Sequence, residues 1–169
     1  SIGNNHRAVQ VIKERNPFPA VLGRICSHPC ESGCNRAEHD EALAINAMER
    51  FLGDWAIRRE LRLPTLEEAA AEEWIGVVGA GPSGLSFAYQ MARRGYRVTV
   101  YEGRAEPGGM LRFGIPAFRL PREIIRNAFD ELQAMGTALQ LNTTVGKDIP
   151  LKQIDADFDY LFIATGCHA

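Results

Sequence analysis

The stretch "WIGVVGAGPSGL", residues 74–85, decides how this chain is read. A short apolar run ends in G-x-G-x-x-G at Gly79, Gly81 and Gly84. "PSGLSFAYQMARRG" follows with helical spacing, and the next β-rich run, "YRVTVYE", closes on Glu102. Strand, glycine turn, helix, strand and terminal acid, in that order, form a dinucleotide-binding pattern. Each position has a physical task. Gly79 permits the tight turn, Gly81 lets backbone N–H groups approach a diphosphate, and Gly84 lets the helix lie close to the strand. The helix N-terminus turns its partial positive charge toward the phosphates, and Glu102 can accept hydrogen bonds from a ribose. The alternative is a glycine turn in an α/β fold that holds no nucleotide.

Beyond the turn, strands and helices alternate. The helix after it presents Leu85, Ala88 and Ala92 inward and is ended by Gly95. "PREIIRNAFDELQAMG" predicts a helix that starts on Pro121, carries Ile125, Ala128, Leu132 and Met135 on one face, and stops at Gly136. "TALQLN" and "YLFIATG" predict two further strands. The expected class is α/β, with a Rossmann-like domain over residues 74–169. The loop "EGRAEPGGMLRFGIPAFRLP", residues 102–121, is long for a plain nicotinamide domain. Its paired glycines, Gly108 and Gly109, can lay backbone against a flat ring system. Arg119 could serve a phosphate or the edge of a flavin, or be an ordinary solvated arginine.

The first sixty residues have a different texture. Residues 4–15 place Ala8, Val11 and Ile12 on one helical face. "NPFPAVLG" predicts an irregular stretch, because two prolines and a glycine end that helix. "CSHPCESGC" follows in loop or single-turn structure, with Cys26, Cys30 and Cys34 at four-residue spacing. Residues 41–60 predict a stronger helix with a stripe of Ala44, Met48, Phe51 and Trp55, capped by His39-Asp40. The expected organisation is a helical domain over 1–63, a polar linker over 64–73, and the nucleotide domain. The net charge of -2 gives no basic field for nucleic acid, and no apolar run reaches a membrane span. Without an export signal, clustered cysteines read as metal or cofactor ligands before disulfides, and a cytoplasmic location is expected. The chain starts at Ser1 and stops at Cys167-His168-Ala169, directly after a strand-like run, so a segment of a longer protein is expected.

"NPFPAVLGRICSHPCESGCNRAEHDEALAINAMERF", "GAGPSGL", "EPGGMLRFGIPAFRLP" and "ATG", in that order, resemble the small subunit of glutamate synthase and its relatives. The N-terminal half of dihydropyrimidine dehydrogenase and related NAD(P)H-dependent flavoprotein subunits are among them. The resemblance covers almost the whole chain. It implies a helical domain with two [4Fe-4S] clusters, then an FAD domain interrupted by an inserted NAD(P) domain that would begin near the end of this chain. By motif position, FAD phosphates would meet Gly79, Ala80, Gly81, Pro82, Ser83 and Gly84, and Glu102 would take the ribose. Gly109, Met110 and Arg119 would lie nearer the flavin, and Val145 would approach the adenine through its backbone.

The same resemblance divides the cysteines. Relatives carry four further cysteines upstream. Cys34 would join three of them in one cluster, while Cys26 and Cys30 would join the fourth in the other. Glu49 would complete that second cluster with an oxygen ligand. For Glu49 the competing reading is a solvated glutamate paired with an arginine. For the cysteines it is a zinc site with His28 or His39. Disulfide reductases with the same FAD fold place a redox cysteine pair after the glycine turn, yet residues 80–166 contain no cysteine. Iron–sulfur clusters are then the natural exit for electrons.

The implied activity is NAD(P)H-dependent electron transfer through FAD and clusters to a partner subunit, with no side chain required as general acid or base. The rival functions are a non-enzymatic, zinc-stabilised nucleotide-binding module and a dihydropyrimidine dehydrogenase-like fusion. Cys167 reads as a free thiol, and His6, His28 and His168 as surface histidines.

Overall fold

The computed structural model describes residues 4–61, 66 and 71–166. The chain divides into two compact units, Ser1–Leu63 and Pro64–Ala169. Most of the expected linker, together with Cys167 and His168, lies outside the described residues.

In the first unit α1 (Asn5–Lys13) is capped by Asn4, whose side chain accepts the Arg7 N–H. Its buried line runs through Val9 and Lys13, while Val11 is about half exposed, so the expected face is rotated. α2 (Pro19–Ile25) replaces the expected irregular stretch. Pro19 is its first residue, where the missing N–H costs no helix bond and the fixed φ suits the start. The proline begins a helix here instead of ending one. The cysteine run then forms two single turns, α3 (Pro29–Ser32) and a 3-10 turn (Asn35–Glu38).

α4 (Ile45–Arg58) starts four residues later than the sequence suggests. Asp40 does not cap it, because its carboxylate is held by Arg36 and by the Glu41 N–H. Glu31 substitutes from a distance: its Oε1 accepts the Asn46 N–H at 2.7 Å, in the first turn of α4. The expected apolar stripe also faces outward, with Met48 at 49% and Phe51 at 52% exposure. The buried residues are small, Gly53 and Ala56. A Cβ on Gly53 would lie 2.6 Å from Ala20 Cα, and one on Gly23 would lie 2.6 Å from Arg50 Cα. Thus α2 and α4 meet backbone to backbone, and small residues rather than large apolar ones select the contact face. Arg24 fastens the pair with two hydrogen bonds to Asp54, at 2.7 and 3.0 Å.

The second unit is a parallel four-stranded sheet. Its elements are β1 (Trp74–Val78), α5 (Pro82–Arg93), β2 (Arg97–Tyr101), α6 (Met110–Phe113), α7 (Arg122–Ala134), β3 (Ala138–Gln140), α8 (Leu151–Asp157) and β4 (Tyr160–Ile163). The strand order is β3-β2-β1-β4. Val77 and Val78 pair with Val100 and Tyr101 on one side and with Phe162 and Ile163 on the other. The core forms where the helical faces meet the sheet. Leu85, Ala88 and Ala92 on α5 and Ile125 and Leu132 on α7 are buried, as their spacing predicts. Gly95 and Gly136 take positive φ, 86° in each case, just past the ends of these helices. Phe87 stacks on Phe162 with ring centroids 4.1 Å apart, bonding α5 to the last strand.

Candidate functional site

Strand order places the site. From β1 the chain moves through β2 to β3 on one side, then returns to lay β4 on the other side of β1. In an open parallel sheet such a reversal leaves a crevice at the carboxyl ends of the strands, where ligands bind. The glycine turn, residues 79–84, occupies that position beside the end of β4.

The three motif glycines do different work. Gly79 has φ 108°, and a Cβ there would lie 2.8 Å from the Ala164 carbonyl carbon. A Cβ on Gly84 would lie under 3.0 Å from Gly79 O and 3.2 Å from Val77 Cγ1. Both are walled in by backbone. A Cβ on Gly81 would meet nothing within 4 Å, although Gly81 immediately precedes α5 and has an ordinary extended conformation. Hence only Gly81 faces open space, at the N-terminus of a twelve-residue helix. That space fits an anion requiring close backbone approach. Pro82 supplies no N–H but presets the helix, and Pro82 and Ser83 are exposed at the mouth.

Glu102 closes the same crevice from the end of β2. Its Oε2 accepts the Ala80 N–H and its Oε1 accepts the Arg104 N–H, both at 3.0 Å. A carboxylate has about four acceptor positions, so ribose hydroxyls can still be accommodated. The long loop folds back onto the turn. Gly108 N–H donates to Ala80 O at 2.8 Å, and a Cβ on Gly109 would lie 2.9 Å from Gly81 Cα. Arg112 pairs with Glu106, and the Arg104 guanidinium lies 4.3 Å from the Phe113 ring centroid. The paired glycines thus lie against the turn's own backbone. Met110 opens α6 beside them and is 69% exposed. Arg119 is in the exposed segment before the buried Leu120, and Val145 follows Thr143, whose N–H donates to the Glu102 carbonyl at 2.9 Å. Gly108, expected with Gly109 against a ring system, instead bonds the turn itself, and the Ala164 carbonyl, at the start of the quoted "ATG", forms the wall behind Gly79.

In the first unit Cys26, Cys30 and Cys34 are free thiols. Cys26 Sγ accepts the His28 N–H at 3.3 Å, with His28 in a left-handed conformation. Backbone N–H groups of Leu43, then Arg36, hold the Cys34 thiol below the ordinary thiol range. N–H donors aimed at sulfur favour the thiolate, the form that binds metals and clusters. Among the described residues no three Cys, His, Asp or Glu side chains stand together as a metal-holding group, which applies to Cys26, Cys30 and Glu49 as it does to the cysteines with His28 or His39. Glu49 is half-buried, and its Oε1 accepts from Asn16 Nδ2 at 3.2 Å; its partner is an amide, not an arginine. Among the described residues no helix is long and apolar enough to cross a membrane.

Comparison with known proteins agrees with both units. Residues 1–61 match the family model for dihydropyrimidine dehydrogenase domain II, 4Fe-4S cluster. Residues 77–119 match an NAD(P)-binding Rossmann-like domain. The chain is 39% identical to the NADP(+)-dependent formate dehydrogenase subunit beta of Moorella thermoacetica, over 99% of this chain and 27% of that protein. It is 34% identical to the NAD-dependent dihydropyrimidine dehydrogenase subunit PreT of Escherichia coli K12, over 94% of this chain and 39% of that protein. To the glutamate synthase [NADPH] small chain of the same organism it is 32% identical, over 98% and 36% respectively. A solved 2-naphthoyl-CoA reductase aligns with TM-score 0.52 and 32% identity, covering 72% of this chain and 17% of that one. The expected resemblance to glutamate synthase small-subunit-like oxidoreductases is therefore found, and the chain spans about a quarter to two fifths of these relatives' length.

Proposed function

We propose that this chain is the cluster-ligating and nucleotide-turn portion of an NAD(P)H-dependent FAD and [4Fe-4S] electron-transfer oxidoreductase subunit. The observation that carries the reading is the turn itself. Gly79 and Gly84 are closed in by backbone, whereas Gly81 is open toward space at a helix N-terminus, with Glu102 fixed across from it. The 4Fe-4S family match over residues 1–61 and the similarity to NADP-linked subunits support the redox assignment.

In this reading Gly81 and the first N–H groups of α5 receive the FAD diphosphate, with Ala80, Pro82 and Ser83 around it. Glu102 orients the ribose, while Val145 borders the adenine. Gly109, Met110 and Arg119 form the flavin side. FAD, when bound, supplies the exchange between hydride from NAD(P)H and single electrons. Cys26 and Cys30, with Glu49, contribute to one cluster and Cys34 to another, each completed by ligands from outside this chain. The nicotinamide would be held by a domain beyond the chain, and clusters held at these cysteines would supply single-electron transfer toward a partner subunit. Residues 1–63 form the cluster domain, 64–73 the linker, and 74–169 the first part of the FAD domain. The chain's own residues bind and orient; none has to move a proton.

The test is composition and reduction of the full-length protein purified without oxygen. Bound FAD, iron and acid-labile sulfide, with absorbance bleached by NADPH or NADH, are expected. Colourless protein with stoichiometric zinc would overturn the proposal.

A further inference from the structure

We infer that Asn16 is a positioning residue for the Glu49 carboxylate, holding one oxygen so that the other is presented to a cluster iron. The inference rests on the reading of Glu49 as a cluster ligand and extends it to a residue thirty-three positions away.

The orientation of the Asn16 amide is fixed by its own surroundings. Its backbone N–H donates to Ile12 O at 2.8 Å, which ties the residue to the end of α1, three positions past Lys13. Its Oδ1 accepts the Phe18 N–H at 3.1 Å. With the oxygen committed to Phe18, Nδ2 is the end that faces α4, where it donates to Glu49 Oε1 at 3.2 Å. The buried Pro17 follows at once and restricts the backbone of Asn16.

The pair holds Glu49 without cancelling its charge. A carboxylate drawn away from water is held either by a cation or by neutral donors, and only the first neutralises it. The nearest candidate in sequence, Arg50, has its Nε directed to Asp54 at 4.0 Å. Glu49 therefore has a neutral donor on one oxygen, and its Oε2 has no hydrogen-bond partner among the described residues. An amide fixes a carboxylate without neutralising it. An arginine in the same place would have fixed it and also competed for the lone pairs a metal needs. Ligating carboxylates are commonly held by a hydrogen bond of this kind, which sets the direction of the ligand.

The experiment uses the full-length protein and reads its clusters by low-temperature EPR and potentiometric titration. Asn16→Asp is the primary variant. It is isosteric and keeps an acceptor for the Phe18 N–H, but it replaces the donor with an oxygen that repels Glu49. Asn16→Ser is the second variant, short enough to keep a turn acceptor and too short to reach α4. Glu49→Ala is measured in parallel. The expected result is that both Asn16 variants shift the g-values and midpoint of one cluster, the same one that Glu49→Ala alters, and leave the other unchanged. Adding Asn16→Ser to Glu49→Ala should then cause no further shift. If Glu49→Ala alters a cluster but both Asn16 variants retain wild-type spectra and midpoints while unfolding at lower temperature, Asn16 is only a tie between helices, and this inference fails alone. If Glu49→Ala leaves both clusters untouched, the ligand reading fails and the inference falls with it.

Discussion

Gly81→Ala and Gly84→Ala should separate binding from folding, because the same added methyl meets space at one site and backbone at the other. At Gly84 the new Cβ would lie under 3.0 Å from Gly79 O and 3.2 Å from Val77 Cγ1, against an ordinary contact of 3.4–4 Å. Backbone cannot rotate away as a side-chain end can, so α5 must move off the sheet. Overpacking of that kind costs roughly 1–3 kcal/mol, or more against rigid backbone. Alanine's better helix propensity returns about 1 kcal/mol. Because the clash is with backbone, the upper end of that range applies and the net loss is about 2 kcal/mol, a fall in Tm of roughly 8–16 °C at about 4–8 °C per kcal/mol for a domain near 100 residues. At Gly81 the methyl meets nothing within 4 Å and φ is negative, so no strain arises. The poorer cap, worth a few tenths to about 1 kcal/mol, is offset by about 0.4–1 kcal/mol from a stiffer unfolded chain. Thermal unfolding of the flavin-free protein should therefore place Gly81→Ala within about 5 °C of wild type. Its flavin content after purification should nevertheless fall most steeply. Equal Tm losses in the two variants, or undiminished flavin in Gly81→Ala, would refute the division of labour between these glycines.

Glu102→Ala removes an acceptor for two backbone N–H groups as well as for the ribose, so FAD affinity should fall about ten- to a hundredfold, at roughly 1.5–3 kcal/mol for bonds to a charged group; an unchanged flavin titration would count against it. Gly53→Ala places a Cβ 2.6 Å from Ala20 Cα and should lower Tm in differential scanning calorimetry, with roughly 1–3 kcal/mol of overpacking reduced by about 1 kcal/mol of helix propensity. In EPR of the full-length protein, Cys34→Ser should perturb one cluster, and Cys26→Ser and Cys30→Ser the other. Loss of the same signal in Cys34→Ser and Cys30→Ser would favour a single site built from the loop.

The second unit was legible because its signals are local and periodic. The glycine turn, the Leu85–Ala88–Ala92 face and the glycines at 95 and 136 each act within a few residues of where they stand. The first unit was misread where contact depends on smallness or distance. Met48 and Phe51 attract a hydrophobicity argument, yet the helices meet at Gly23, Ala20, Gly53 and Ala56, which an apolar stripe does not detect. The true cap of α4, Glu31, is fifteen residues from Asn46, while the nearby Asp40 is taken by Arg36. Pro19 could stop one helix or start another, and only the packing of α2 on α4 decides. At the site, the glycines and Glu102 were evident from spacing. Asn16 and the Ala164 carbonyl were not, since each acts across a long stretch of chain.

The neighbouring positions of β1 and β4 also set an order of assembly. Trp74 and Asp159 exchange hydrogen bonds at 2.8 and 3.0 Å across eighty-five residues, and Ala164 N–H donates to Val78 O at 2.7 Å. Gly79 abuts the Ala164 carbonyl. The turn is thus bounded by a residue synthesised long after it, and its crevice closes only when this long loop has been drawn in. Contacts of such separation form late, because chain entropy is lost before they repay it. On the ribosome, β1, α5 and β2 can pair as soon as they emerge. The pocket they begin is finished only once β4 has docked, so nucleotide loading follows the folding of the sheet and cannot guide its first steps.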